Sequence, residues 1–356
     1  MAAYTTIDDP SAYFKVQLYT GNGSANHAIT FDDTDTDMQP DFVIIKNRDA
    51  TDNWCVFDSV RGVGLHLAIN TNAESENTDA DTLDAFQSDG FRVDADVKVN
   101  TNTEKYVAYC WKAGTTSGIT TNGSTTITPS GYSFNHDAGI SIIKYAGNDT
   151  AGAKVAHGLG TTPSIIFTRN RDNNFSWQNY HHKSSASPQN NSMYLNHNFT
   201  LDSNLYYWNN TAPDAVNFTV GNNGTSNDSD DYVAYSFVEK QGYSKFGTYE
   251  GNGAADDGTF VFLGFRPAFV WIKNIDTDGA DWNLWDNRRP GYNPNYYLPT
   301  NENEVEVTTD EFDFLSNGFK ARENDNDQNQ SAKTIAYMAF AEAPFVNSSG
   351  VPCNAR

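Results

Sequence analysis

Three stretches of this chain repeat one another, and this self-similarity constrains the fold more than any other feature, because each copy must be built as one structural unit. The copies open on Leu18-Tyr19-Thr20-Gly21-Asn22-Gly23, Lys144-Tyr145-Ala146-Gly147-Asn148-Asp149 and Thr248-Tyr249-Glu250-Gly251-Asn252-Gly253. Each continues through a proline into an apolar run with a basic residue near its end: Phe42 to Asn47, Ile165 to Asn170 and Phe269 to Asn274. Each closes on an aromatic strand, Tyr106 to Trp111, Tyr232 to Phe237 and Ile335 to Phe340.

Within a copy, short runs of Val, Ile, Tyr, Phe and Trp are broken by Gly, Asn, Asp and Pro, the texture of strands and turns. Long helical periodicity is absent, apart from one turn that Asp9 can cap with Pro10 in its first position. The expected fold is all-β: three tandem antiparallel β-sandwich repeats of jelly-roll-like type, at residues 14–113, 139–240 and 241–346. A Gly/Ser/Thr-rich linker or hairpin at 114–138 separates the first two. An N-terminal docking segment at 1–13 and a C-terminal tail at 347–356 flank them. Gly21-Asn22 and its counterparts read as turns requiring positive φ, and Ser88-Asp89-Gly90-Phe91 with Ser316-Asn317-Gly318-Phe319 reads as a second turn position. Copy two lacks that second turn.

Composition narrows the function. A net charge of −22, spread along the chain, repels phosphate, so neither nucleic acid nor an anionic membrane surface is an expected partner. No apolar run approaches the roughly 18 residues of a membrane span, and the N-terminus lacks the pattern of a signal peptide. The three cysteines, Cys55, Cys110 and Cys353, form no metal-like or disulfide spacing.

The candidate sites follow the repeat. A Trp-x-x-aromatic motif ends on Asp58, His181 and Asp286, with Lys46, Arg169 and Lys273 about a dozen residues upstream. The pairs Lys46/Asp58, Arg169/His181 and Lys273/Asp286 are expected to bridge one hairpin beside a core Trp, with a catalytic dyad as the alternative. Arg61 and Arg288 are expected to cover the same sheet edge. His181-His182 with His157 or His197 would supply imidazoles to a transition metal, without the fixed spacing of a zinc site. Asp-rich stretches at 32–37, 276–281 and 324–327 offer oxygen ligands to calcium, but none completes an EF-hand; no other cofactor is expected. Tyr206, Tyr207, Trp208, Tyr292, Tyr296 and Tyr297 lie in Asn-rich segments and are candidate stacking platforms for a glycan, against a role in the core. There is no nucleophile elbow, phosphate-binding loop or His-Glu-x-x-His, and no carboxylate pair stands out as a glycosidase acid and base.

The opening Tyr4 to Phe14, the segments Leu18 to Gly23, Val43 to Arg48 and Phe57 to Gly62, and the close at Ala341 to Phe345 resemble a family of uncharacterised tail-fibre-like virion proteins of marine tailed phages, including cyanophages and phages of pelagic bacteria. The resemblance implies a non-enzymatic structural component on the virion surface. It would be tail-associated, bound to other virion proteins through the N-terminal segment, and able to recognise a host surface glycan. A homotrimer is one expectation; a chain that imitates a trimer by itself is another. The alternatives are a capsid decoration and a carbohydrate-active depolymerase.

Overall fold

The structure is a computed structural model that describes residues 4–32, 36–73, 75–289, 293, 296–309 and 311–353. Each copy is a two-layer antiparallel β-sandwich. In the first, the large sheet runs in the order Phe14–Thr20, Lys105–Trp111, Phe42–Asn47, Cys55–Asp58, Leu65–Ala68, Asn77–Thr78, and a small sheet of His27–Ile29, Gly90–Val93 and Leu83–Gln87 covers one face. The third copy repeats the order with Ser244–Glu250, Thr334–Pro344, Phe265–Asn274, Trp282–Asp286, Tyr296–Pro299 and Val307–Thr308. In the second, Ile140–Ala146, Asp231–Phe237, Ile165–Asn170 and Gln178–His181 hold the same places. Its small sheet is the pair Ala153–Ala156 and Asn217–Val220, consistent with the missing second turn.

The large sheets are buried on both faces, which explains why their strands read as continuous apolar runs rather than alternating ones. In Phe42–Asn47, Val43 and Ile45 face the small sheet, while Phe42 and Ile44 face a central core shared by all three copies. In the closing strand, Tyr106, Ala108 and Cys110 take the first side and Val107, Tyr109 and Trp111 the second. The copies therefore do not lie as a string. The last aromatics of the three closing strands meet at the middle, with ring centroids 6.4 Å apart for Trp111 and Phe237, 6.1 Å for Phe237 and Phe340, and 5.6 Å for Trp111 and Phe340.

The Gly-Asn turns form where expected, but for a different physical reason. A Cβ on Gly21, Gly147 or Gly251 would run into the carbonyl oxygen of Thr101, Asp228 or Gln330. Positive φ falls two residues later, at Gly23 (65°), Asp149 (54°) and Gly253 (68°). The following Asn is held by its amide, which donates to Asn100 Oδ1 at 2.9 Å, Asn227 Oδ1 at 2.8 Å and Asn329 Oδ1 at 3.0 Å in the three copies.

One boundary expectation changes. Gly131–Asn135, placed in the linker, is an edge strand of the second copy's large sheet, and Ile127 bridges to Val155. The N-terminal segment packs against the body. Asp9 caps the 3-10 turn Pro10–Ala12, Ile7 is buried in the central core, and Tyr4 donates to the Gly264 carbonyl at 2.8 Å. The tail is tied to the same region, the Ser348 amide donating to Asp8 Oδ1 at 2.6 Å.

Candidate functional site

The Trp-x-x-aromatic motifs lie at the seams between copies. The Trp54 indole of copy one donates to the Pro299 carbonyl of copy three at 3.2 Å, Trp282 of copy three to Tyr194 of copy two at 2.9 Å, and Trp177 of copy two to Ala68 of copy one at 2.6 Å. Each copy thus grips another in a closed head-to-tail cycle, the geometry of a heterologous ring.

Beside two of these tryptophans sits a buried charged group. The Tyr109 hydroxyl of copy one donates to Asp286 Oδ2 of copy three at 2.8 Å, and Tyr235 of copy two donates to Asp58 Oδ2 of copy one at 2.6 Å. Each aspartate is also paired three residues on, Asp58 with Arg61 and Asp286 with Arg289. The same guanidiniums donate to the carbonyls of Val56 and Leu284 at 2.8 Å. Glu76 bridges Arg61 of its own copy at 3.0 Å and Arg171 of copy two at 2.6 Å, and Glu306 bridges Arg289 at 3.4 Å and Arg48 of copy one at 2.7 Å. Burial opposes every charge here, yet the ion partners outweigh it: Arg61 and Arg289 are held above the ordinary guanidinium range, and Asp286 below the usual carboxylate range.

The third seam, of copy three on copy two, has the same backbone and none of that charge. Met338 stands where the other copies have Tyr109 and Tyr235, and His181 where they have Asp58 and Asp286. Ser184 replaces the arginine, and Ile275 with Leu201 replaces the Arg–Glu bridge. The Leu201 amide still donates to Ile275 O at 2.9 Å, as Glu76 does to Arg171 at 2.8 Å and Glu306 to Arg48 at 3.1 Å. A cavity of about 10 Å³ remains beside Asn179, His181, Trp282 and Met338. Burial, aided by His182, pushes His181 down to about 3.

The expected hairpin pairs are therefore replaced by other partners. The register sets Asp58 opposite Phe42, four residues and about 13 Å along the strand from Lys46. Lys46 instead donates to the carbonyls of Asn47 at 2.6 Å and Ala50 at 2.9 Å, and Lys273 to Asn274 at 2.8 Å and Ala280 at 2.7 Å. Each ammonium closes the turn after its strand, and burial lowers both to about 8. Arg169 is likewise buried and lowered to about 10. Asp286 takes Arg289 rather than Arg288, which reaches the exposed Asp32. Sequence reasoning missed Tyr109, Tyr235, Arg289, Glu76 and Glu306; comparing the copies for residues that change together would have found them.

His157 binds the Asp214 carbonyl at 3.0 Å, and among the described residues no three His, Cys, Asp or Glu side chains converge as a metal group. Of the Asp-rich stretches, residues 33–35 lie outside the described residues. Asp327 accepts from the amide of Asp281 and from Asn283 Nδ2, both at 2.8 Å, and burial with Asp325 and Asp281 nearby pushes it up to about 7.

The proposed aromatic platform separates. Tyr206 is 65% exposed, but Tyr207 and Trp208 are buried in the sandwich core of copy two, where the Trp208 indole donates to Asn191 O at 2.9 Å. Tyr296 and Tyr297 are half-buried on an inner strand of copy three's large sheet, and Tyr292 lies outside the described residues. A different set of aromatics reaches the surface nearby. Phe175 and Phe199 flank a cleft of about 390 Å³ on copy two, lined also by Asn72 of copy one, Ser176, His197 and Asp202. The His197 ring stacks on Phe199 at 4.6 Å, and its Nε2 lies 3.0 Å from Ser176 Oγ.

Three sandwiches closed on one core define a pseudo-threefold body made by a single chain. Residues 9–344 match the family described as a domain of unknown function, DUF7483, and the chain belongs to that family. No curated protein and no solved structure matches it.

Proposed function

We propose that this protein is a non-enzymatic structural component of a bacteriophage particle, displayed on its surface with the tail and engaging host glycans. The observation that carries the reading is the closed cycle of seams. The conspicuous buried polar residues at Asp58, Arg61, Asp286 and Arg289 are engaged in joining the copies, and their donors and acceptors are directed at one another. Such groups build rigidity. The threefold form suits the symmetry of phage tails, and the strongly acidic surface suits a soluble exposed knob. Contact with other virion proteins is assigned to the N-terminal segment, whose Tyr4 and Ile7 fix it against the body, and to the surface beside it.

The test is to purify the parent particle, quantify this chain by mass spectrometry, and locate it by electron cryomicroscopy. The expected result is a defined copy number with density at the tail. Density only on the head would replace tail association by capsid decoration, and absence from the particle would overturn the reading. In that case the depolymerase alternative would start from Asp327, a carboxyl placed to hold a proton near neutral pH.

A further inference from the structure

We infer that the cleft between Phe175 and Phe199 is a binding site for a neutral saccharide. The comparison among copies carries this, because the fold needs the same things of all three at this place. In every copy the amide of the seam tryptophan is held by an asparagine, Asn70, Asn196 or Asn301, at the head of the adjoining loop. The residue after that asparagine is Thr71 in copy one and Glu302 in copy three, but His197 in copy two. Two further on stand Ala73 and Glu304, against Phe199. On the facing loop, two residues before the tryptophan, Asp52 and Ala280 stand where copy two has Phe175. Copy two alone puts aromatic rings there, and they are paid out to solvent: Phe199 is 51% exposed and Phe175 36%. The two seams without them keep the same ring closed, so closing the ring does not require them, although Phe175 also packs on Gly224 of its own copy.

The chemistry of the lining selects the ligand. Exposed phenyl rings offer faces to the C–H side of a pyranose, and a stacked imidazole fixes the orientation of one of them. Around them the side-chain carbonyls of Asn72 and Asn174, whose amide nitrogens are held by Ser176 and the Ala73 carbonyl, face neighbouring sugar hydroxyls as acceptors, and Asp202, already held by the Tyr194 hydroxyl at 3.0 Å, is a further acceptor; Ser176 and Thr225, bonded to His197 and Gln178, complete the polar wall. The volume fits a mono- or disaccharide. An acidic residue in the wall, on a chain of charge −22, disfavours anionic sugars. The inference deepens the host-recognition part of the reading above and rests on it only for the origin of the sugar.

The experiment uses the intact purified protein on an array of neutral and anionic glycans, followed by calorimetric titration with the best neutral hit. The variants are Phe199→Ala, Phe175→Ala and, as a control outside the cleft, Tyr206→Ala. Neutral glycans are expected to bind, with each phenylalanine variant losing about tenfold in affinity, the worth of one aromatic contact, and Tyr206→Ala unchanged. Circular dichroism checks that the variants, altered at exposed positions, remain folded. Binding that survives both phenylalanine variants, preference for anionic glycans, or no neutral glycan bound at millimolar concentration would overturn the site. Tetramethylammonium binding in place of sugar would make it a cation cage and overturn it too. None of these outcomes bears on whether the chain is found in the particle, which the particle measurement decides separately.

Discussion

At the scale of single residues, the seams turn on which charges are buried with a partner. Asp58→Ala leaves the buried Arg61 guanidinium with Glu76 as its one remaining carboxylate and removes the acceptor of Tyr235, so it is expected to cost about 3 kcal/mol in urea unfolding. Tyr235→Phe removes only a hydrogen bond to a charged group, about 2 kcal/mol. A double-mutant cycle between the two should show coupling, since they share one contact across two copies. An Asp58→Ala cost below 1 kcal/mol would show that the seam does not depend on this charge. His181 behaves oppositely. It is held neutral when folded, down to about 3, while its ordinary value is 6.5, so the unfolded chain binds the proton more readily between the two. Stability is therefore lost as pH falls from about 6.5 toward 3, at roughly 1.4 kcal/mol per pH unit for this one group. His157, lowered by burial to about 4, adds to the same slope. Thermal melts of wild type and His181→Gln from pH 7 to 4.5 should differ by the His181 share, the variant being flatter; parallel curves would exclude His181 as a source.

At the scale of elements, the turns show what sequence reading reaches and where it stops. The repeat, the strand positions and the Asp9-capped turn at Pro10 were legible, because apolar runs, Gly-Asn pairs and a cap followed by proline act locally. Why Gly21 is glycine was not legible: the constraint is the Thr101 carbonyl on a distant loop rather than its own φ. For the same reason the Lys46 and Asp58 spacing misled. Hairpin partners are set by register, and the register put Phe42 opposite Asp58 while the carboxylate turned to Arg61 and, across a copy boundary, to Tyr235. The short helix Val97–Asn100, capped by Asp96, also went unread, being a single turn among strands. The contact argument at Gly21 is testable. Gly21→Ala is expected to destabilise by about 2 kcal/mol or more, since backbone must move. Gly123→Ala, with ordinary φ and nothing near its Cβ, is expected to be neutral or slightly stabilising. Equal effects on chemical denaturation would remove the close-approach explanation.

At the scale of the whole molecule, the seams also dictate the order of the copies. One flank of copy one carries Tyr109 and Arg48, and its other flank carries Asp58, Arg61 and Glu76. Copy two offers Tyr235 and Arg171 on the first side but His181 and Leu201 on the second, and copy three Met338 and Ile275 against Asp286, Arg289 and Glu306. In the observed cycle every tyrosine meets an aspartate, both arginines meet a glutamate, and the apolar side of copy three meets the apolar side of copy two. The reverse cycle would set Tyr109 on His181 and Met338 on Asp58, burying a charge without its hydrogen-bond donor, so mismatch specifies the assembly as much as match does. Because the central core belongs to all three copies, the intact chain is expected to melt in one calorimetric transition. A sharper consequence concerns copy one, which alone holds both halves of the charged seam. Expressed by itself as residues 14–113, it would expose Phe42, Ile44, Tyr109 and Trp111 on the inner face of its large sheet, and it can cover them with two more of itself, Tyr109 of each meeting Asp58 of the next. Sedimentation equilibrium should find a trimer, and Tyr109→Met should weaken it. Residues 131–240 of copy two, whose Tyr235 would meet only His181, should not trimerise under the same conditions. A folded monomer of residues 14–113 would mean that one sandwich suffices for itself and that the central core is not what holds the copies together.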